Sequence, residues 1–125
     1  MSKKILIVDD EAHIRMLIEQ TLEDLEDEGV ELLQADNGES AVEIIQEEKP
    51  QLVFLDVMMP KMNGMEVCRR IKHELSMNEV YIVLLTAKGQ ELDKQKGKEA
   101  GADLYMTKPF NPDALLEKAE EVLEL

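Results

Sequence analysis

Five short apolar runs limit what this chain can fold into. Lys4-Ile-Leu-Ile-Val8, Val30–Ala35, Leu52–Leu55, Tyr81–Leu85 and Asp103–Met106 are too short for core helices. They read as strands, and the continuous apolar ones as strands buried on both faces. Helical spacing fills the gaps between them. From Ala12 to about Glu26 the apolar positions are Ile14, Leu17, Ile18, Leu22 and Leu25, with Thr21 on the same face, and Gly29 ends that helix. Asn37-Gly38 marks a turn, and Ser40 is expected to cap a helix built on Ala41, Ile44 and Ile45. Lys49-Pro50 breaks it. Further helices are expected over Met65–Leu75, over Glu91–Ala100 before the Gly101 turn, and after Pro109 through Leu115, Ala119, Val122 and Leu123. Strand and helix alternate with no long linker, which calls for parallel strands joined by helical crossovers on both faces. The expected fold is α/β, a five-stranded parallel sheet in one domain over residues 1–125.

Composition removes several function classes. A chain of 125 residues buries most of its unfolded surface in one core. A net charge of −14 repels DNA, RNA and anionic membrane surfaces, so direct nucleic-acid or membrane binding is not expected. With 3% aromatics and no Trp, there is no stacking platform for single strands. No apolar run approaches the ~18–20 residues of a membrane span, and the N-terminus is not signal-like. A soluble, cytoplasmic protein is expected. Cys68 is the only cysteine, which excludes an internal disulfide and predicts a reduced, partly buried core thiol.

In an open α/β sheet, ligands bind beyond the carboxyl ends of the strands, where the strand order changes direction. The first strand ends in Asp9-Asp10, followed by Glu11. The third ends in Asp56, the fourth in Thr86-Ala87, and Lys108-Pro109 follows the fifth. Any one of these is a common cap or loop residue. Together, acids, a hydroxyl and an amine converge on one edge. Clustered carboxylates repel, and a hard divalent cation with oxygen ligands offsets that repulsion. Mg²⁺ fits better than Ca²⁺, since it takes one or two carboxylates and keeps its waters. A carboxylate beside such an ion can attack a phosphoryl group to form an acyl phosphate. Charge then spreads over the equatorial oxygens, where the Lys108 ammonium and the Thr86 hydroxyl would receive it. The reaction these residues suggest is phosphoryl transfer to Asp56.

Four segments carry a family resemblance: Val8-Asp9-Asp10-Glu11, Asp56-Val-Met-Met-Pro60 with Asn63-Gly64, Leu85-Thr86-Ala87, and Thr107-Lys108-Pro109-Phe110. Over essentially its whole length the chain resembles the receiver domain of bacterial two-component response regulators, of the chemotaxis-regulator kind. The resemblance implies a doubly wound, flavodoxin-like (βα)5 fold with strand order 2-1-3-4-5. It implies that Asp56 accepts a phosphoryl group from a sensor histidine kinase or phosphotransfer protein. Mg²⁺ would be held directly by Asp10 and Asp56, with Asp9 acting largely through water and the Met58 carbonyl as a further ligand. Thr86 and Lys108 would contact the phosphoryl group, Lys108-Pro109 would be a cis peptide, and Tyr105 would change rotamer on activation. The fourth helix, fifth strand and fifth helix would present the altered surface to a downstream protein or output domain. Such a domain is a switch, catalysing only its own phosphorylation and dephosphorylation. It can stand alone, or be one receiver cut from a longer regulator with an effector domain.

Several residues need separate reading. Met58, Met59, Met62 and Met65 form a methionine run, but hard carboxylates beside it argue against a Cu(I) thioether site. Met59 and Met65 read as flexible core filler, and Pro60 and Gly64 as loop-shaping residues. Met58 and Lys88, each two residues past a site residue, would rim the pocket. Neither is a carboxylate or amide able to orient an attacking water, which predicts a long-lived phosphoryl-Asp56. An aspartyl phosphatase would carry an acid where Met58 stands. A flavin binder would not place Asp9-Asp10-Glu11 in its phosphate loop. In Glu91–Ala100 only Leu92 and Ala100 are apolar anchors. Gln95 and Lys98 occupy positions where receivers carry larger apolar residues, and Gly97 costs up to ~1 kcal/mol in a helix interior. That predicts a weakly packed, mobile fourth helix. Leu104 replaces an acid common in receivers that dimerise through this surface, which weakens the case for the usual transcription-factor dimer.

Overall fold

The computed structural model describes residues 3–87, 91–108 and 110–125, those of 87 and 91–94 by backbone alone. Strands β1 (Lys3–Val8), β2 (Val30–Ala35), β3 (Leu52–Asp56), β4 (Tyr81–Ala87) and β5 (Leu104–Lys108) form one parallel sheet in the order β2-β1-β3-β4-β5. This is the expected doubly wound, flavodoxin-like arrangement. Between and after the strands run α1 (Ala12–Leu22), α2 (Gly38–Glu48), α3 (Gly64–Arg69), α4 (Glu91–Ala100) and α5 (Pro112–Val122). No helix among the described residues is long and apolar enough to cross a membrane.

The continuous apolar strands are explained by a core on each face. Successive side chains point to opposite sides of a sheet, so Ile5, Ile7, Leu52 and Phe54 pack with Ile18 and Leu22 of α1 and Leu115 and Ala119 of α5. Leu6, Val8, Val53 and Leu55 pack on the other side with Val42 and Ile45 of α2, Val67 and Cys68 of α3 and Ala100 of α4. Cys68 is buried and free, and burial pushes its thiol up to about 12, so it is an inert core group.

Element boundaries depart from expectation where local hydrogen bonding decides. α1 stops at Leu22 and continues as a tighter turn over Glu23–Glu28, ended by Gly29 at φ 88°. Ser40 is not the cap of α2. Asn37 is, its side chain accepting the Ser40 N–H at 2.8 Å, because the helix starts three residues earlier than the apolar pattern does. α3 is α-helical only to Arg69, then widens over Arg70–Glu74, where Ile71 and its neighbour Lys72 are both buried. β4 and β5 run past their apolar residues: Thr86 pairs with Thr107 and Ala87 with Lys108. Lys108 therefore ends a strand rather than following one.

Candidate functional site

β1 and β3 are neighbours at the centre of the sheet, and the crossovers from them run to opposite sides, to β2 and to β4. Asp9 follows β1 directly and Asp56 is the last residue of β3, so both lie at the point where strand order reverses. Carboxylate oxygens of Asp9, Asp10 and Asp56 lie within 4.8 Å of one another. Asp9 and Asp56 are buried while Asp10 is exposed, so the cluster opens to solvent on one side. Lys108 reaches in from β5, donating to Asp9 Oδ2 at 2.7 Å and to Asp56 Oδ1 at 3.0 Å.

Asp9 and Asp56, the two buried acids, receive backbone N–H groups. Asp9 Oδ1 accepts the Glu11 N–H at 2.9 Å, and the Asp9 carbonyl accepts from Arg15 Nη1 at 2.7 Å. The Asp56 carboxylate takes the Met58 N–H, while the Met58 side chain is 60% exposed. Behind Asp56 the chain folds back tightly: Gly64 N–H donates to the Val57 carbonyl at 2.9 Å, and a Cβ on Gly64 would lie 2.2 Å from the Asp56 carbonyl oxygen. Only glycine fits there. Asn63 caps α3 just before it, accepting the Glu66 N–H at 2.9 Å.

The electrostatics are unbalanced. Burial pushes the Asp56 carboxyl up to about 6, opposed by the hydrogen bond from Lys108 and reinforced by the negative charge of Asp9. Burial alone would lower the Lys108 ammonium, but its hydrogen bonds to Asp9 and Asp56 and their charges outweigh that and raise it. Three carboxylates against one ammonium leave an excess negative charge of the size a divalent cation carries. The donors are all hard oxygens, so the residues fit such an ion.

The match to known proteins is in keeping with this geometry. Residues 5–120 match the family model described as the response regulator receiver domain. This chain belongs to that family. Signalling through phosphorylation is the family's general role. The receiver is 44% identical to the alkaline phosphatase synthesis transcriptional regulatory protein PhoP of Bacillus subtilis over 98% of its own length and 49% of that protein. It is 45% identical to the phosphate regulon transcriptional regulatory protein PhoB of Pseudomonas aeruginosa, over 98% of its length and 52% of that protein. It thus spans about half the length of these curated relatives. Among solved structures, the BeF3-activated DrrB receiver domain superposes with a TM-score of 0.85 at 38% identity, each chain covered completely.

In this receiver the residues singled out by sequence fall as follows. Asp9, Asp10, Asp56 and Lys108 form one cluster. Thr86 is buried on β4, one residue beyond Leu85, the register partner of Asp56. Tyr105 lies on β5 with its ring among the apolar residues of the α2-α3-α4 side, and its hydroxyl is buried with no hydrogen-bond partner among the described residues. Burial, with a smaller effect from Cys68, raises that phenol above its ordinary value. Lys88 and the Lys108-Pro109 peptide lie outside the described residues, as does the Leu92 side chain. Gln95 and Lys98 are exposed, so they occupy the outer face of α4, which meets the protein through buried Gly97 and Ala100. Arg15 was missed. Its signal was its place on the first turns of α1, four residues after Glu11, within reach of the end of β1.

Proposed function

We propose that this chain is a phosphorylation-dependent switch of a two-component system, with Asp56 as the phosphoacceptor. The carrying observation is a buried carboxylate at the tip of a central strand, bonded to Lys108 and within 4.8 Å of two further acids. An Asp56 oxygen attacks phosphorus, the bond from phosphorus to a phosphohistidine nitrogen breaks, and the imidazole keeps the electron pair and takes a proton. Asp56 attacks as the carboxylate, which a value of about 6 leaves mainly ionised at neutral pH. Lys108 would turn from the carboxylates to the incoming phosphoryl oxygens, and Thr86 would donate its hydroxyl to another. Asp10 and Asp56 would hold Mg²⁺, with the Met58 carbonyl as a further ligand and Asp9 acting through water, since Lys108 and the Glu11 amide already occupy its oxygens. When bound, Mg²⁺ neutralises charge on the phosphoryl group.

The donor in this reading is a sensor histidine kinase or phosphotransfer protein in the cytoplasm, and the receiver extends over residues 1–125. Thr86 and Tyr105 act as the switch, and Met58 rims the pocket. The surface of α4, β5 and α5 meets the downstream partner. A second arrangement is favoured by one observation: PhoP and PhoB are about twice as long as this chain. The same receiver could then be one part of a regulator that carries an output domain.

Incubation with a small-molecule phosphodonor and Mg²⁺, followed by intact mass, tests the core of the reading. A phosphate adduct is expected on the natural chain and none on Asp56→Asn; no adduct on either would overturn it. The exposed Met58 side chain itself offers no group to orient water, so Met58→Asn should shorten the phosphoryl lifetime, by at least about tenfold against the ~10²–10⁴-fold that a fully positioned acid or base supplies. An unchanged rate of phosphate loss would remove Met58 from that role.

A further inference from the structure

Gly97 is buried in α4, while Gln95, Lys96, Lys98 and Glu99 around it face solvent. Its backbone is ordinary helix, so conformation does not require glycine there. Space does. A Cβ at this position would stand 2.6 Å from Leu84 Cδ1 and 2.7 Å from Tyr105 Cε1, far inside the ~3.5–4.0 Å at which carbon atoms make favourable contact. A glycine in a helix interior sacrifices helix stability relative to alanine. Here the missing side chain leaves room for the edge of a tyrosine ring.

Tyr105 is held on this side by packing alone among the described residues. Its ring lies with the apolar cluster that includes Leu84, Cys68 and Ala100, but its buried hydroxyl finds no partner there. An unpaired buried hydroxyl is unfavourable, and the same group pointing outward would be hydrated. The side chain therefore has two competing places: an inward one with packing and no hydrogen bond, and an outward one with the reverse.

We propose that Gly97 is a positioning residue for Tyr105: the gap it leaves in α4 is the seat of the inward ring, and a side chain at 97 drives the ring out to solvent. The coupling of this seat to phosphate on Asp56 rests on the switch reading above; the seat itself does not.

The chain holds two tyrosines, so Tyr81→Phe leaves Tyr105 as the one tyrosine that tetranitromethane can nitrate, with nitration located by peptide mass. In that background Gly97→Ala should raise the Tyr105 nitration rate about tenfold or more, because the minor state of such a pair is typically ~0.1–10% populated. An unchanged rate would overturn the seat. A second measurement separates the ring from the helix. Gly97→Ala should lower the melting temperature clearly more when Tyr105 is present than in Tyr105→Ala, where the ring is gone and only the close approach to Leu84 opposes the gain in helix propensity. An equal fall in both backgrounds would mean that the glycine serves Leu84 or the backbone, and would also overturn the proposal. Phosphodonor with Mg²⁺ then reads the coupling. An Asp56 adduct with altered Tyr105 nitration supports it, an adduct with unaltered nitration overturns it, and absence of any adduct is a failure of the phosphoacceptor reading, recorded separately by mass.

Discussion

Lys72 and Lys108 are drawn into the same sheet from opposite ends, and their surroundings differ chiefly in charge balance. At the amino end of β4 and β5, the Lys72 ammonium donates to the Val80 carbonyl at 2.6 Å and the Asn78 carbonyl at 3.4 Å, and pairs with Asp103 at 3.0 Å. The same Asp103 oxygen accepts the Ile82 N–H at 2.8 Å. One cation meets one anion, and carbonyls take up its other hydrogens. At the carboxyl end, Lys108 faces Asp9 and Asp56 directly and Asp10 in the same cluster. The first arrangement is closed and acts as a strut between α3, β4 and β5. The second is short of positive charge, and shortage is what makes it a site for a cation and a phosphoryl group. A buried lysine is therefore informative only when the charges around it are counted.

Removing the strut should have the largest effect. Lys72→Met strands two carbonyls and an acid. Breaking a buried pair costs ~3–5 kcal/mol, and roughly 2–4 kcal/mol is expected here because Asp103 keeps a wet side. Denaturant unfolding measures it, and a loss below 1 kcal/mol would mean that the pair behaves as a surface ion pair.

The opposite sign is expected at the other end. In the presence of a chelator, Asp56→Asn should stabilise the protein by about 2–3 kcal/mol at pH 7.5, at ~1.4 kcal/mol per pKa unit. The Asp56 carboxyl is at about 6 in the folded chain and near 3.9 when unfolded. The folded state then holds the proton more tightly, so stability falls as pH rises from about 4 through about 6 and the penalty is constant above. The advantage of the variant should shrink below pH 6 and vanish near pH 4. A variant no more stable than the natural chain at pH 7.5 would show that Lys108 already compensates the site.

The smallest effect concerns α4, which spans both ends. Near the strut its last turn is tied down, with His73 Nε2 against the Glu99 carbonyl at 3.0 Å. Among the described residues its packing otherwise relies on Gly97 and Ala100. Amides of α4 should exchange at least ~5-fold faster than those of α3, from the ~1 kcal/mol that glycine costs in a helix interior. Equal protection would show that the helix is as firmly seated as its neighbour.

The comparison also explains what was legible in the sequence. Strands buried on both faces declare themselves by uninterrupted apolar runs, so the sheet and the carboxyl-end residues could be placed before any coordinates. Asp9, Asp10 and Asp56 follow such runs within two residues, and Lys108 stands two residues past Met106 on the half-buried edge strand β5. Lys72 gave no such signal. It lies inside a helical pattern, where lysine ordinarily faces water, and it is buried because α3 widens after Arg69. Gly97 looked like a weakness in a polar helix, because a sequence shows the cost of a glycine but not the ring that needs its space. Gly64 looked like a loop residue, and only its distance from the Asp56 carbonyl reveals why nothing larger fits. Asn37 and Ser40 are both good caps, and the choice between them was made by where the helix starts.

The bond from Lys108 to Asp9 joins residues 99 positions apart, and β5 is an edge strand attached to β4 alone. During synthesis the acids at 9, 10 and 56 therefore leave the ribosome well before the only ammonium that bonds them among the described residues. Until β5 is laid against β4, those acids repel one another without a counter-charge. The phosphate pocket is consequently among the last parts of the molecule to be completed, and a chain truncated before β5 would keep its acids but lose the ammonium. The competence to receive a signal is in this sense a report that the whole sheet has been assembled.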